Sequence, residues 1–143
     1  LAAGLLGLDF VLAAPAGYDP DPGVLAAAQK LCKGRGLPPR VVRDPAAAVG
    51  GADFLYTDVW TSMGQESEAK RRLKAFRGFQ IDAKLLARAK PEARVLHCLP
   101  AHRGEEIAAE VIDGPQSLVF EQAENRLHAQ KALLVRLLNR DKR

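Results

Sequence analysis

Short apolar runs recur along the chain at residues 10–14, 40–43, 54–58, 94–98 and 117–120. Runs of this length and residue type read as buried strands. Segments with helical spacing lie between them. Asp21-Pro22 opens a helix over 24–33, closed by Gly34 or Gly36, with Leu25, Ala28, Leu31 and Cys32 on one face. Asp44-Pro45 opens a short helix in the same way, ending at Gly50-Gly51. Residues 66–76 form a charged, solvated helix; 81–90 form another, stopped by Pro91; 105–112 form a short one closed by Asp113-Gly114. The last helix is expected over 123–139, with Leu127, Leu134 and Leu138 on one face and Leu133 and Leu137 beside them. The apolar start, Leu1 to Gly7, has no basic residues and runs straight into a strand, so it reads as a helix and not as a signal peptide.

Strands alternating with helices predict an α/β fold: a three-layer, Rossmann-like arrangement of one parallel sheet with helices on both faces and right-handed crossovers. A chain of 143 residues suits one domain with a core of its own. Its 48% hydrophobic and 27% charged residues belong to a globular protein. The net charge of +4 is spread through mixed acidic and basic residues, which implies no nucleic-acid surface. No apolar run approaches the roughly 20 residues of a membrane span, so no membrane partner is expected. Only two cysteines are present, Cys32 and Cys98. That excludes a disulfide framework and favours a reducing compartment, the cytoplasm.

The chemistry concentrates at strand ends. The run Arg94-Val95-Leu96-His97-Cys98-Leu99-Pro100 closes in an imidazole, a thiol and a proline. Proline cannot continue a ladder, so the chain leaves the sheet there. Four roles are open to Cys98: nucleophile, metal ligand, hydrogen-bond partner or buried apolar residue. Strand alternation sends His97 and Cys98 to opposite faces, which allows His97 to be a hydrogen-bonded core residue. The spacing of His97, Cys98 and His102 matches no common zinc pattern, so no metal is expected. Asp58 ends another strand and either grips an ammonium group or caps the next turn; Ser62-Met63-Gly64 follows it with a hydroxyl and a flexible turn. Trp60 reads as a packing residue. Arg126, expected in the first turn of the last helix, either binds an anion or polarised carbonyl or pairs with Glu121 or Glu124. Cys32 reads as core. No dinucleotide fingerprint, phosphate loop, serine elbow or two-cysteine redox motif occurs.

Three ordered segments resemble the ornithine carbamoyltransferase family: Asp58-Val59-Trp60-Thr61-Ser62-Met63-Gly64, His97-Cys98-Leu99-Pro100-Ala101-His102-Arg103-Gly104, and Glu121-Gln122-Ala123-Glu124-Asn125-Arg126-Leu127-His128. The resemblance covers nearly the whole chain and implies the aspartate/ornithine carbamoyltransferase fold. It reaches only the C-terminal, amino-acid-binding half. No Ser-x-Arg-Thr-Arg phosphate motif and no initiator Met are present, so residues 1–143 are expected to be a fragment. Its last helix is expected to face the carbamoyl-phosphate half.

The resemblance implies transfer of a carbamoyl group from carbamoyl phosphate to the δ-amine of L-ornithine, giving L-citrulline and phosphate, a step of arginine metabolism. It implies no cofactor and no metal, and assembly as trimers or multiples of them. By the same resemblance Asp58 holds the α-amino group, and Ser62 and Met63 complete the amino-acid site. Cys98 lies beside the reacting amine, the Leu99 carbonyl accepts from it, and Arg126 polarises the carbamoyl oxygen. Two other readings stand beside it: a sister transcarbamylase acting on putrescine or an acylated ornithine, and a non-catalytic module that captures a basic amino acid.

Overall fold

The computed structural model describes residues 1–62, 64 and 66–139, apart from the side chain of Glu66. Met63 lies outside the described residues. The elements follow in the order α1 (Ala2–Leu6), β1 (Val11–Ala13), α2 (Pro22–Leu31), β2 (Arg40–Val42), α3 (Pro45–Val49), β3 (Phe54–Thr57), a 3-10 turn (Glu66–Glu68), α4 (Ala69–Ala75), α5 (Ala83–Leu86), β4 (Arg94–His97), α6 (Ala109–Ile112) and α7 (Val119–Leu138).

The helix starts follow from their caps. Asp21 accepts the Val24 N–H at 3.0 Å and Asp44 accepts the Ala46 N–H at 2.9 Å, each with proline in the first turn. An aspartate oxygen thus satisfies one amide that the helix leaves unpaired, and proline has none to lose. Asp82 caps α5 in the same way, accepting from Leu85 at 2.8 Å. Cys32 is buried at the end of α2, as the helical face predicts. Gly4 has a steric reason: a Cβ there would lie 2.5 Å from the Ala28 carbonyl oxygen, so α1 rests on α2 only without a side chain.

The strands pair in parallel, β1 with β2 and β3 with β4. Parallel strands flanked by helices are the α/β arrangement the sequence predicts; among the described residues their hydrogen-bonded ladder forms two separate pairs and not one continuous sheet. Strand β1 is three residues long and stops before Pro15, whose missing N–H removes the donor that would extend it. Helix α3 packs against both β1 and β2 and against α5. The main core lies under β3 and β4 and gathers Val49, Leu55, Ile81, Val95, Ile107, Ile112 and Val119.

The helix expected over 81–90 is shortened to α5, with Ile81 in a bridge to Ile107, and two further expected elements are different. The fifth strand, 117–120, is reduced to one bridge, with the Val95 N–H donating to Gln116 O and the Leu118 N–H to Val95 O, both at 2.9 Å. The Gln122 N–H then closes on Leu118 O at 2.9 Å, so the run becomes the first turn of α7. A four-residue apolar run cannot by itself decide between strand and helix. The helix expected over 105–112 is confined to α6. Its first half is not helical: residues 104–106 form a turn, with the Glu105 N–H donating to His102 O at 3.0 Å, and Ile107 bridges Ile81, the Ile81 N–H donating to Glu106 O at 2.9 Å and the Ala108 N–H to Ile81 O at 3.0 Å. That pairing turns the Glu106 side chain inward, where it is fully buried. The apolar stripe of α7 is present but uncovered among the described residues, with Leu127 65% and Leu138 81% exposed.

Candidate active site

The register of β3 and β4 assembles the site. Thr57 pairs with His97, so the next residues, Asp58 and Cys98, leave adjacent parallel strands side by side. This is the carboxyl end of the strands, where open α/β sheets bind ligands. A carboxylate oxygen of Asp58, a ring nitrogen of His97 and the Cys98 sulfur all lie within 4.8 Å of one another. Asp58 is exposed, and its Oδ1 accepts the Val59 N–H at 2.7 Å. It caps its own turn and still presents a carboxylate to solvent.

Alternation divides the next two residues as expected. His97 is buried and Cys98 half-buried. The Leu99 N–H donates to His97 Nδ1 at 2.8 Å. Nδ1 therefore carries the lone pair, and the proton resides on Nε2, which faces Glu106 Oε1 at 3.2 Å. The same Oε1 accepts the His102 N–H at 2.6 Å. The turn from 97 to 102 is thus tied at both ends to one buried carboxylate. Within it, Leu99 has φ +54° and the Leu99–Pro100 peptide is cis. A left-handed conformation at a residue with a Cβ costs about 1–2 kcal/mol, which the surrounding bonds must offset.

Burial, followed by the neighbouring Asp58 carboxylate, pushes the Cys98 thiol above its ordinary pKa, while the Tyr56 hydroxyl acts in the opposite direction. Burial, followed by Cys98, likewise raises Tyr56. Both groups are protonated near neutral pH. A neutral thiol is a poor nucleophile and a poor metal ligand. The His97 nitrogens are also both engaged, so ligation here would break the Leu99 bond. A second cluster, His102, Glu105 and Glu106, likewise has its ligand atoms within 4.8 Å of one another.

The remaining sequence-assigned residues divide. Trp60 is a packing residue: it stacks on Phe76 at 5.7 Å, and Arg72 donates to its carbonyl at 3.3 Å. Ser62 is exposed beside the same turn. Only the expected place of Arg126 in the first turn of the last helix is corrected. Because α7 begins at Val119, Arg126 lies about two turns inside the helix, beyond the first-turn amides and the reach of the terminal dipole. It is exposed, and among the described residues it pairs with neither Glu121 nor Glu124; Glu124 faces His128 at 3.4 Å instead.

Three further residues join the site without having been assigned to it: Tyr56, Glu106 and Gln122. Gln122 Oε1 accepts the His97 backbone N–H at 3.0 Å, and its Nε2 donates to the Tyr56 hydroxyl at 3.4 Å. Tyr56 was within reach of strand alternation, two residues before Asp58 on the same face. Glu106 and Gln122 become site residues only through tertiary pairing.

Residues 1–137 match the family model described as the Asp/Orn binding domain of aspartate/ornithine carbamoyltransferase. The chain belongs to this carbamoyltransferase family. It is 58% identical over 139 residues to an ornithine carbamoyltransferase of Chlorobaculum tepidum, covering 97% of the chain and 40% of that relative. The solved ornithine carbamoyltransferase of Pyrococcus furiosus is 53% identical, with a TM-score of 0.87 over 93% of the chain and 42% of that structure. The anabolic enzyme of Campylobacter jejuni is 38% identical, with a TM-score of 0.90 over 96% of the chain and 46% of that structure. The chain thus spans less than half the length of these carbamoyltransferases and matches their amino-acid-binding domain. No helix among the described residues is long and apolar enough to cross a membrane.

Proposed function

We propose that this chain is the ornithine-binding half of an ornithine carbamoyltransferase and acts with a carbamoyl-phosphate-binding half to make L-citrulline and phosphate. The observation that carries the reading is the pairing of an exposed Asp58 carboxylate with a protonated Cys98 thiol at the ends of adjacent parallel strands. Asp58 binds the α-ammonium of ornithine by charge-assisted hydrogen bonding; by family resemblance Ser62 and Met63 complete the amino-acid site. The neutral δ-amine attacks the carbonyl carbon of carbamoyl phosphate. A tetrahedral intermediate forms and phosphate leaves. Cys98 and the Leu99 carbonyl orient the amine, and Arg126 polarises the carbamoyl oxygen. The thiol forms no bond to the carbamoyl group, because the amine attacks directly and the thiol keeps its proton.

The exposed stripe of α7 is the surface against which the other half packs in this reading. Assembly as a trimer and a cytoplasmic location complete it. The first rests on family resemblance and the second on the two free thiols, Cys32 and Cys98.

Citrulline formation by the polypeptide that joins this chain to a phosphate-binding half, followed by mass spectrometry of the quenched enzyme, tests the reading. Citrulline is expected without a carbamoyl adduct on Cys98, and none is expected from residues 1–143 alone. A trapped carbamoyl thioester, or turnover by the isolated chain, would contradict it.

A further inference from the structure

We infer that Glu106 is a positioning residue for carbamoyl transfer: through the tautomer of His97 it fixes the orientation of the Leu99 peptide beside Cys98. The inference rests on the functional reading above, in which the Leu99 carbonyl accepts from the attacking amine.

Three bonds carry it. The Leu99 N–H donates to His97 Nδ1 at 2.8 Å, His97 Nε2 faces Glu106 Oε1 at 3.2 Å, and the His102 N–H donates to the same oxygen at 2.6 Å. Imidazole has two neutral tautomers, and only the Nε2–H form leaves Nδ1 free to accept. Glu106 is the group that selects this form, because its carboxylate oxygen can only accept. With the other tautomer, the Leu99 N–H would face an N–H. Leu99 would then lose the bond that helps hold its left-handed φ of +54°, and its carbonyl would turn away from the amine. Stability alone is a poor explanation for this carboxylate. Glu106 is 0% exposed, and among the described residues its second oxygen, Oε2, has no hydrogen-bond partner, the His102 Nδ1 lying 4.0 Å away. A buried carboxylate left half-satisfied is an inefficient way to hold a core together. A fixed acceptor that orients a neighbouring imidazole is a familiar way to tune a site from behind it.

Substitutions at His97 separate positioning from packing. Asparagine can place an acceptor near the Nδ1 position without a donor toward Glu106; glutamine offers a polar group near Nε2 and none near Nδ1. In the complete polypeptide, His97→Asn is expected to keep kcat within about tenfold of the parent. His97→Gln and Glu106→Leu lose kcat on the order of 100-fold, with the ornithine KM changed by less than about threefold. Glu106→Gln, which keeps an acceptor oxygen for both donors, restores kcat to within about tenfold. In the His97→Asn background, Glu106→Leu should cost little more, because no tautomer remains to be selected. A neutron structure of the complete parent polypeptide reads the tautomer without any assay, with deuterium expected on Nε2 and none on Nδ1.

Equal kcat losses in His97→Asn and His97→Gln, or deuterium on Nδ1, would overturn the positioning role while leaving citrulline formation by the parent intact. Failure of the parent to form citrulline would overturn the functional reading, and the positioning role with it.

Discussion

At Cys98 the chemistry is decided by neighbours. Burial and the Asp58 carboxylate both favour the neutral thiol over the thiolate. Less thiolate is therefore present at any given pH than for the same cysteine in unfolded chain. Alkylation of Cys98 by iodoacetamide should have its midpoint above that of unfolded chain, and Asp58→Asn should move the midpoint down. An unchanged midpoint would separate the two groups. Sequence reasoning places Asp58 and Cys98 correctly because each ends an apolar run, and parallel strands bring their carboxyl ends to one edge. It does not place Arg126, whose position depends on where α7 begins. It leaves the choice among four roles for Cys98 open, because a thiol's protonation depends on neighbours distant in sequence.

Among the elements, those with local signals are legible and those made by long-range pairing are not. Asp21-Pro22 and Asp44-Pro45 mark α2 and α3 through caps that need only adjacent residues. Residues 105–108 carry no local sign that a turn and a bridge to Ile81 replace the helix there, and the apolar run at 117–120 serves as well for a helical turn as for a strand. This matters at the site, because Glu106 and Gln122 acquire their roles from those two departures. Gln122 ties the first turn of α7 to β4 by accepting the His97 N–H. Gln122→Ala leaves a buried amide unpaired and should lower stability by about 1–2 kcal/mol, as measured by denaturant unfolding of the chain. Loss of well under half a kcal/mol would show that the bond does not hold the junction.

For the molecule as a whole, the uncovered face of α7 is the main departure from a self-contained globule. Leu127 and Leu134 are exposed and point to a partner surface in the proposed complete enzyme. Substituting them by Ser in the isolated chain should change stability by less than about 0.5 kcal/mol, as surface changes do. In the complete polypeptide the same pair should cost about 2–4 kcal/mol if both side chains are buried there. Equal small effects in both would argue that α7 stays uncovered. The sequence makes the stripe legible but not its cover, because a periodic apolar face specifies only that something packs on it. The central claim, that Asp58 and Cys98 form the amino-acid side of a carbamoyl-transfer site, is tested most directly by measuring the affinities of the complete polypeptide for both substrates in the parent and in Asp58→Asn. Loss of a charge-assisted contact predicts ornithine binding weakened about 10- to 100-fold, with carbamoyl phosphate binding changed by less than about twofold. Equal losses for the two substrates, or no loss for ornithine, would contradict it.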